Sequence, residues 1–331
     1  MGDQVQLTDP KGHKHLVTLA TGQSFHTHRG SLAHDDLIGG PDGSVVRSSG
    51  GTPYVALRPL LADFTLSMGR GAAVVYPKDA AQILAFADMY PGARVLEAGA
   101  GSGALSCWLL RAVGEGGQVV SYERRADFAG IARRNVEKFF GGPHPSWRLT
   151  VGDLSEATGE NFDRVVLDML APWEYAQTAA QLLVPGGLIC CYVATTTQLS
   201  RIAEALREQG NFDEPTAWES LVRGWHVNGL AVRPEHRMVG HTGFIITARR
   251  LADGVIPPPR RRRPSKGARG EEAGPAPDAV PPDHPQPRRA PAETAPDPVL
   301  SEVGREVPEP PGDPGVPVPQ GHGNVSGVSI S

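Results

Sequence analysis

Short apolar runs alternate with helically spaced segments through the middle of the chain. Residues 94–97, 118–122, 147–151, 164–167, 188–193 and 244–249 have the length and apolar character of strands. Residues 104–112, 128–139 and 198–208 repeat apolar positions every three or four residues. So do residues 79–89, through Ala80, Ile83, Leu84 and Ala87, which predicts an amphipathic helix there. The run at 188–193 is entered through a Pro185-Gly186-Gly187 turn. Alternation of this kind predicts an α/β fold with a doubly wound, mostly parallel sheet and ligands beyond the strand C-termini.

The flanks read differently. Ahead of this region, Gly and Asp-Gly punctuation (Gly22, Gly30, Gly39-Gly40, Asp42-Gly43, Gly50-Gly51) separates short runs such as 15–19 and 44–46. That spacing predicts a small, barrel-like β-domain over residues 1–65. A central domain is expected over 66–252. Beyond it, from Gly254 to Ser331, lie 19 of the 31 prolines and no Phe, Trp or Tyr. A segment so poor in large apolar side chains does not offset its ordering entropy, so residues 253–331 read as a disordered Pro/Arg-rich tail. Its Arg260-Arg261-Arg262-Arg263 run reads as a solvated charge cluster.

Composition narrows the class. No run approaches the roughly 18 uncharged apolar residues of a membrane span. Residues 1–10 are polar and lack a signal core, and Cys107, Cys190 and Cys191 form neither a disulfide framework nor a CxxC pair. The expected setting is a reducing cytoplasm. Net charge is −4, from 32 Lys+Arg against 36 Asp+Glu. Any nucleic-acid role therefore rests on a local patch. His26, His28, Arg29 and His34 are one candidate polar face for RNA backbone, and Arg223, Arg233 and Arg237 another. Surface arginines scattered by composition bias explain the latter equally well. The histidines have no partner Cys or carboxylate fork, so no metal site is expected.

The chemistry concentrates after residue 94. Val95-Leu96-Glu97-Ala98-Gly99-Ala100-Gly101-Ser102-Gly103-Ala104-Leu105 takes an apolar strand through a glycine-rich turn into a helix. Such a turn lets a ligand approach backbone and offers the N–H donors of a helix N-terminus; tight strand-to-helix geometry alone also calls for glycine. The spacing is G-x-G-x-G, not the G-x-G-x-x-G of a dinucleotide fingerprint. Glu123 ends the next strand, 22 residues after Gly101, where an acid has the reach to accept both hydroxyls of a ribose. Asp153 and Leu154 follow the third strand. Asp168 closes the fourth, ahead of Met169-Leu170-Ala171-Pro172-Trp173-Glu174. Each acid taken alone also fits a loop carboxylate, and Asp168 a helix cap.

The turn and the three acids resemble class I S-adenosylmethionine-dependent methyltransferases. Tyr76-Pro77-Lys78-Asp79, residues 96–105, Asp168-Met169-Leu170-Ala171-Pro172-Trp173-Glu174 and Tyr192-Val193-Ala194-Thr195 narrow the likeness to the TrmI-type tRNA (adenine-N1)-methyltransferases. His28-Arg29-Gly30 and the stretch 34–39 point the same way. The resemblance spans roughly residues 5–252. It implies a seven-stranded Rossmann-like sheet and S-adenosylmethionine as cofactor. It also implies N1 methylation of the adenine at tRNA position 58 by a homotetramer. Cofactor contacts are implied for Glu97, Gly99, Gly101, Ser102, Gly103, Ala104, Leu105, Glu123, Asp153, Leu154 and Asp168.

Methyl transfer is an in-line displacement governed by alignment and field. Asp168 is expected to accept a hydrogen bond from the adenine N6 amino group, which selects adenine and places N1. Tyr76 and Tyr192, carried over by motif, would flank the base or close the pocket; packing aromatics are the alternative for both. The adenine must be extruded from tRNA tertiary structure. Gly69, where the resemblance calls for proline, would loosen the linker before Tyr76. The rival readings are a protein carboxyl methyltransferase of the isoaspartyl type and a catalytically silent RNA-binding scaffold.

Overall fold

The computed structural model describes residues 3–158 and 161–257. Most of the tail read as disordered, residues 258–331, lies outside the described residues.

Six strands build the N-terminal part: β1 (Gln4–Thr8), β2 (Lys14–Thr18), β3 (Ser24–Thr27), β4 (Gly30–Ala33), β5 (Ser44–Arg47) and β6 (Pro53–Leu57). Four of them form an antiparallel sheet in the order β2-β1-β6-β5, and β3 pairs with β4 as a separate hairpin. With β2 and β5 at its edges the sheet is open, not the barrel expected from the turn spacing. Leu7, Val17, Leu19, Leu32, Leu37, Tyr54 and Ala56 close its small core. One residue of the candidate RNA-facing set lies elsewhere: His34 is buried, and its Nδ1 accepts the Ala20 N–H at 3.1 Å. It belongs to the β-domain interior and not to an RNA-facing surface.

Two helices follow, α1 (Leu61–Ser67) and α2 (Pro77–Phe86). Pro77 opens α2 at a position where its missing N–H costs nothing. The linker between them is fastened. Ser102 Oγ accepts from Gly71 N (3.1 Å) and Ala72 N (3.2 Å), and Asn135 Nδ2 donates to Gly69 O (2.8 Å). Gly69 therefore does not leave the linker loose, because the tethers come from side chains elsewhere.

The central sheet takes β7 (Arg94–Ala98), β8 (Gln118–Glu123), β9 (Trp147–Val151), β10 (Phe162–Asp168), β11 (Leu183–Val193), β12 (Thr216–Trp218) and, after a hairpin β13 (Trp225–Asn228) and β14 (Ala231–Pro234), β15 (Phe244–Arg249). Its order is β12-β15-β11-β10-β7-β8-β9. Strands β11, β10, β7, β8 and β9 run parallel, while β15 and β12 are antiparallel. Pro185–Gly187 does not precede β11 but interrupts it: the register jumps from Phe162↔Leu183 to Arg164↔Leu188. The short β12 and the hairpin lack a strong apolar alternation and escape sequence reading.

Helices α3 (Ala104–Val113) and α4 (Ala126–Phe140) join α1 and α2 on one face, over Val95, Val119, Val166 and Cys190. Helices α5 (Ala176–Leu182) and α6 (Thr196–Gln209) cover the other, over Leu96, Val165, Leu167, Ile189 and Cys191. The two-residue period of each strand supplies both faces, as a sheet buried on both sides requires. From β7 the chain builds outward through β8 and β9, then returns to lay β10 on the other side of β7. That reversal opens a crevice at the C-termini of β7 and β10, where ligands of open α/β sheets bind. No helix among the described residues is long and apolar enough to cross a membrane.

Candidate active site

Glu97 ends the core-facing series of β7 and is fully buried. Its Oε2 accepts from Ser106 Oγ (2.6 Å) on α3 and from Ser121 Oγ (2.5 Å) on β8, and Ser121 in turn accepts from Trp147 Nε1 (2.9 Å). Its Oε1 is buried without a hydrogen-bond partner. Burial raises its pKa above the ordinary value; the two serine bonds work against that rise, and Glu123 adds to it. A buried carboxylate oxygen without a donor is costly unless something cationic or protic completes it.

The turn that follows is shaped by its neighbours. Gly99 has φ +88°, and a Cβ there would overlap the carbonyl oxygen of Asp168. Gly103, φ +78°, would bring a Cβ to 3.0 Å from the Ala132 backbone of α4. Gly101 is different: its nearest neighbour would be the Ala72 methyl at 3.6 Å. Two of the three glycines are thus demanded by packing, and Gly101 leaves the approach from outside open. Ser102 turns its hydroxyl to the 71–72 linker, and Ala104 and Leu105 are buried in the first turn of α3. These positions shape the turn from behind.

The acids at the strand ends surround it. Glu123 accepts Gly101 N–H on Oε2 (2.9 Å) and Arg125 N–H on Oε1 (3.1 Å), bracing the turn from β8. Asp153 caps a short 3₁₀ turn through Ser155 N (2.9 Å) and Ser155 Oγ (2.7 Å) on one oxygen, and takes Tyr175 O–H (2.8 Å) on the other. The backbone bond from Ser155 leads the causes that hold its pKa below the ordinary value. Leu154 beside it is buried.

Asp168, at the tip of β10, is half-buried, and its pKa is pushed up to about 7 from 3.8 by burial first, then by Glu97 and Glu123. Three carboxylates thus lie close enough to repel one another, and of the three Glu123 has a cation beside it, Arg125 Nε at 3.5 Å from Oε1. This arrangement suits a cation-bearing ligand: Glu97 and Asp168, both above their ordinary pKa, gain when a positive charge arrives. The donor set fits S-adenosylmethionine, whose sulfonium and ammonium would face these acids, and the open Gly101 face gives it room.

Of the two tyrosines, Tyr192 is the register partner of Asp168 in the neighbouring strand. Its hydroxyl donates to Asp79 Oδ2 at 3.1 Å, and burial heads the causes raising its pKa. Tyr76 is half-buried at the residue preceding α2, three residues from Asp79. Sequence reading missed the supports: Ser106, Ser121 and Trp147 around Glu97, Tyr175 on Asp153, and Gln198, whose Nε2 donates to Leu170 O (2.9 Å). Helical spacing places Ser106 on the buried face of α3, which was the available signal; the others come together only through the sheet order.

A separate cleft of about 1450 Å³ runs between the N-terminal sheet and the far end of α4. Lys14, Arg58, Arg111, Arg134 and Lys138 line it against Asp3, Asp42, Asp63 and Glu137, a near balance unlike a phosphate-binding surface. The candidate RNA-facing arginines, Arg223, Arg233 and Arg237, are exposed around the β13–β14 hairpin.

The strand order, the glycine turn after the central strand and the acids at successive strand ends define a class I S-adenosylmethionine-dependent methyltransferase. Residues 54–236 match the family of the tRNA methyltransferase complex GCD14 subunit, and residues 1–46 match the TrmI-like N-terminal family. The chain belongs to this family of tRNA methyltransferases. The tRNA (adenine(58)-N(1))-methyltransferase TrmI of Thermus thermophilus is 39% identical over 246 residues, 74% of this chain and 95% of that protein. A tRNA (adenine(57)-N(1)/adenine(58)-N(1))-methyltransferase TrmI of Methanocaldococcus jannaschii is 30% identical, over 78% of this chain and 98% of its own. Among solved structures, a SAM-dependent O-methyltransferase from Thermotoga maritima superposes with TM-score 0.72 at 33% identity, covering 79% of this chain and 95% of that one. The tRNA (m1A58) methyltransferase TrmI of Aquifex aeolicus gives 0.67 at 27%, covering 76% and 98%.

Proposed function

We propose that this protein is a tRNA (adenine(58)-N1)-methyltransferase that uses S-adenosylmethionine as methyl donor. The observation that carries the reading is the seat of Asp168: a carboxylate closing β10, packed through its own backbone against the glycine turn, in a chain 39% identical to the Thermus enzyme. Bound S-adenosylmethionine supplies an electrophilic methyl group on a positively charged sulfur. Glu97 and the turn hold its methionine end, Glu123 its ribose, and Asp153 with Leu154 its adenine. Asp168 accepts from the N6 amino group of the target adenine, so that N1 points at the methyl carbon. Its negative charge also stabilises the positive ring produced by alkylation, and a preorganised charge in a dry site is effective in that task. Tyr76 and Tyr192 form the wall against the extruded base.

The same reading assigns residues 1–65 to a β-domain, 66–252 to the catalytic domain and the working location to the cytoplasm. It also includes assembly as a homotetramer. Exposed apolar residues gather around the β13–β14 hairpin (Leu221, Trp225, Val227, Leu230, Val232 and Met238), which supports burial against other copies.

A neighbour named as an O-methyltransferase keeps an oxygen acceptor as a second reading. Labelled S-adenosylmethionine offered with tRNA, with isoaspartyl peptide and with small hydroxyl acceptors separates them. Label in tRNA alone is the expected result; label in the peptide or the hydroxyl compounds alone overturns it.

A further inference from the structure

Asp79 is wholly buried, and the cofactor site described above does not use it. Its carboxylate is the meeting point of four donors. Oδ1 accepts from Lys78 Nζ (2.6 Å) and Ser220 Oγ (2.9 Å); Oδ2 accepts from Tyr192 O–H (3.1 Å) and Thr242 Oγ1 (2.5 Å). Lys78, itself buried, also donates to Ser220 O at 2.7 Å. These donors come from the start of α2, from β11 and from two loop positions 22 residues apart in sequence. Ser220 and Thr242 are the two feet of the excursion that carries β13 and β14.

Burying a charge is costly unless it is paired and fully hydrogen-bonded, and an apolar knot would hold the same elements as well or better. What the polar knot adds is direction. Tyr192 is fixed by it at its far end: a Cβ on Gly243 would lie 2.6 Å from the Tyr192 hydroxyl oxygen, so the phenol end of the ring abuts that glycine while its O–H points to Asp79. At its backbone Tyr192 pairs with Asp168, and side chains paired in neighbouring strands share one face of the sheet. An outer contact repeats the fastening. His241, next to Thr242, bonds Glu219 Oε2 (2.8 Å) through Nδ1 and Ala194 O (3.0 Å) through Nε2, tying both feet to the end of β11.

We propose that Asp79 is a positioning residue for methyl transfer: it acts through Tyr192, holding that ring beside Asp168 as a fixed wall of the acceptor site. This rests on the methyltransferase reading above. Misplacement of a reacting group by about 1 Å costs on the order of 100-fold in rate, so a wall of this kind registers in turnover.

The test is a double-mutant cycle of Asp79→Asn and Tyr192→Phe in the full chain. It measures kcat and KM for tRNA at saturating S-adenosylmethionine, cofactor Kd, and Tm. Each single variant is expected to lower kcat at least tenfold with KM and cofactor Kd within about twofold. The double variant is expected to be no slower than the slower single, because both break one interaction. Losses that multiply, or a Tyr192→Phe enzyme with wild-type kcat, overturn the proposal. Where Asp79→Asn does not fold, Tyr192→Phe and Thr242→Val decide: wild-type kcat in Tyr192→Phe overturns it, and a kcat loss in both at unchanged KM supports it. Failure of the wild-type protein to methylate tRNA would instead reject the reading on which the proposal stands.

Discussion

Gly99 and Asp168 are in backbone contact: the carbonyl oxygen of Asp168 occupies the space in which a side chain on Gly99 would begin. The turn expected to hold the donor and the carboxylate expected to face the acceptor are thereby built as one unit across the β7–β10 crevice. Gly99→Ala combines this overlap with a left-handed φ of +88°. It should destabilise the protein by about 3–5 kcal/mol, in the range of severe core substitutions, and abolish cofactor binding. Gly101→Ala meets only a methyl at 3.6 Å. It should cost about 1–2 kcal/mol of backbone strain while weakening the cofactor more than the fold. Thermal melts and cofactor titration of the pair check this; equal loss of Tm in both contradicts it.

Asp168→Asn should stabilise the ligand-free protein while cutting turnover at least 100-fold. Asp168 titrates at about 7 when folded against 3.8 as its ordinary value, so the folded state binds the extra proton between those pH values. Stability is then lost as pH rises from about 4 to 7 and stays level above. Removing the charge restores it, by on the order of 2–4 kcal/mol at pH 8 and by nothing below pH 4. Denaturant melts of both proteins at pH 4 and pH 8 measure the difference. A variant less stable than wild type at pH 8 would contradict the electrostatic account.

Cofactor binding should release protons. At pH 6.5 a large part of Asp168 is protonated in the free protein, and a sulfonium nearby favours its ionised form. Calorimetric titration in two buffers of different ionisation enthalpy should report about half a proton released at pH 6.5 and almost none at pH 8.5. Proton uptake at pH 6.5 would place the cation elsewhere.

The main chemistry was legible because it is local. Glu97 through Leu105 is contiguous, and Glu123, Asp153 and Asp168 each fall at the end of an apolar run, so strand-helix alternation alone lines them up. What escaped depends on three dimensions. The close contact behind Gly99 is Asp168, 69 positions away; beyond its neighbour Lys78 the partners of Asp79 lie at 192, 220 and 242; and the contact behind Gly103 is Ala132 of α4. The barrel expected for residues 1–65 failed because turn spacing reports strand lengths and not whether edge strands meet. His34 looked like a surface residue because nothing local signals that Ala20 N–H needs an acceptor.

Glu97→Gln should act on the donor and not on the acceptor. The amide replaces an acceptor oxygen by a donor, either against the two serines or at the unpartnered Oε1 position. Cofactor Kd should rise about 10–100-fold, since hydrogen bonds to charged groups are worth about 1.5–3 kcal/mol. The KM for tRNA should stay within about twofold. A raised tRNA KM with unchanged cofactor Kd would move Glu97 to the acceptor side.

In the proposed function Asp168 presents adenine N1 to the methyl donor. Mass spectrometry of nucleosides and nuclease fragments from tRNA incubated with the protein and S-adenosylmethionine tests this, beside an Asp168→Ala control assayed at saturating S-adenosylmethionine. The expected product carries a single added methyl on N1 of adenine 58, absent from the control reaction. Methyl on a ribose or on another base, or an Asp168→Ala enzyme as active as wild type, would contradict it.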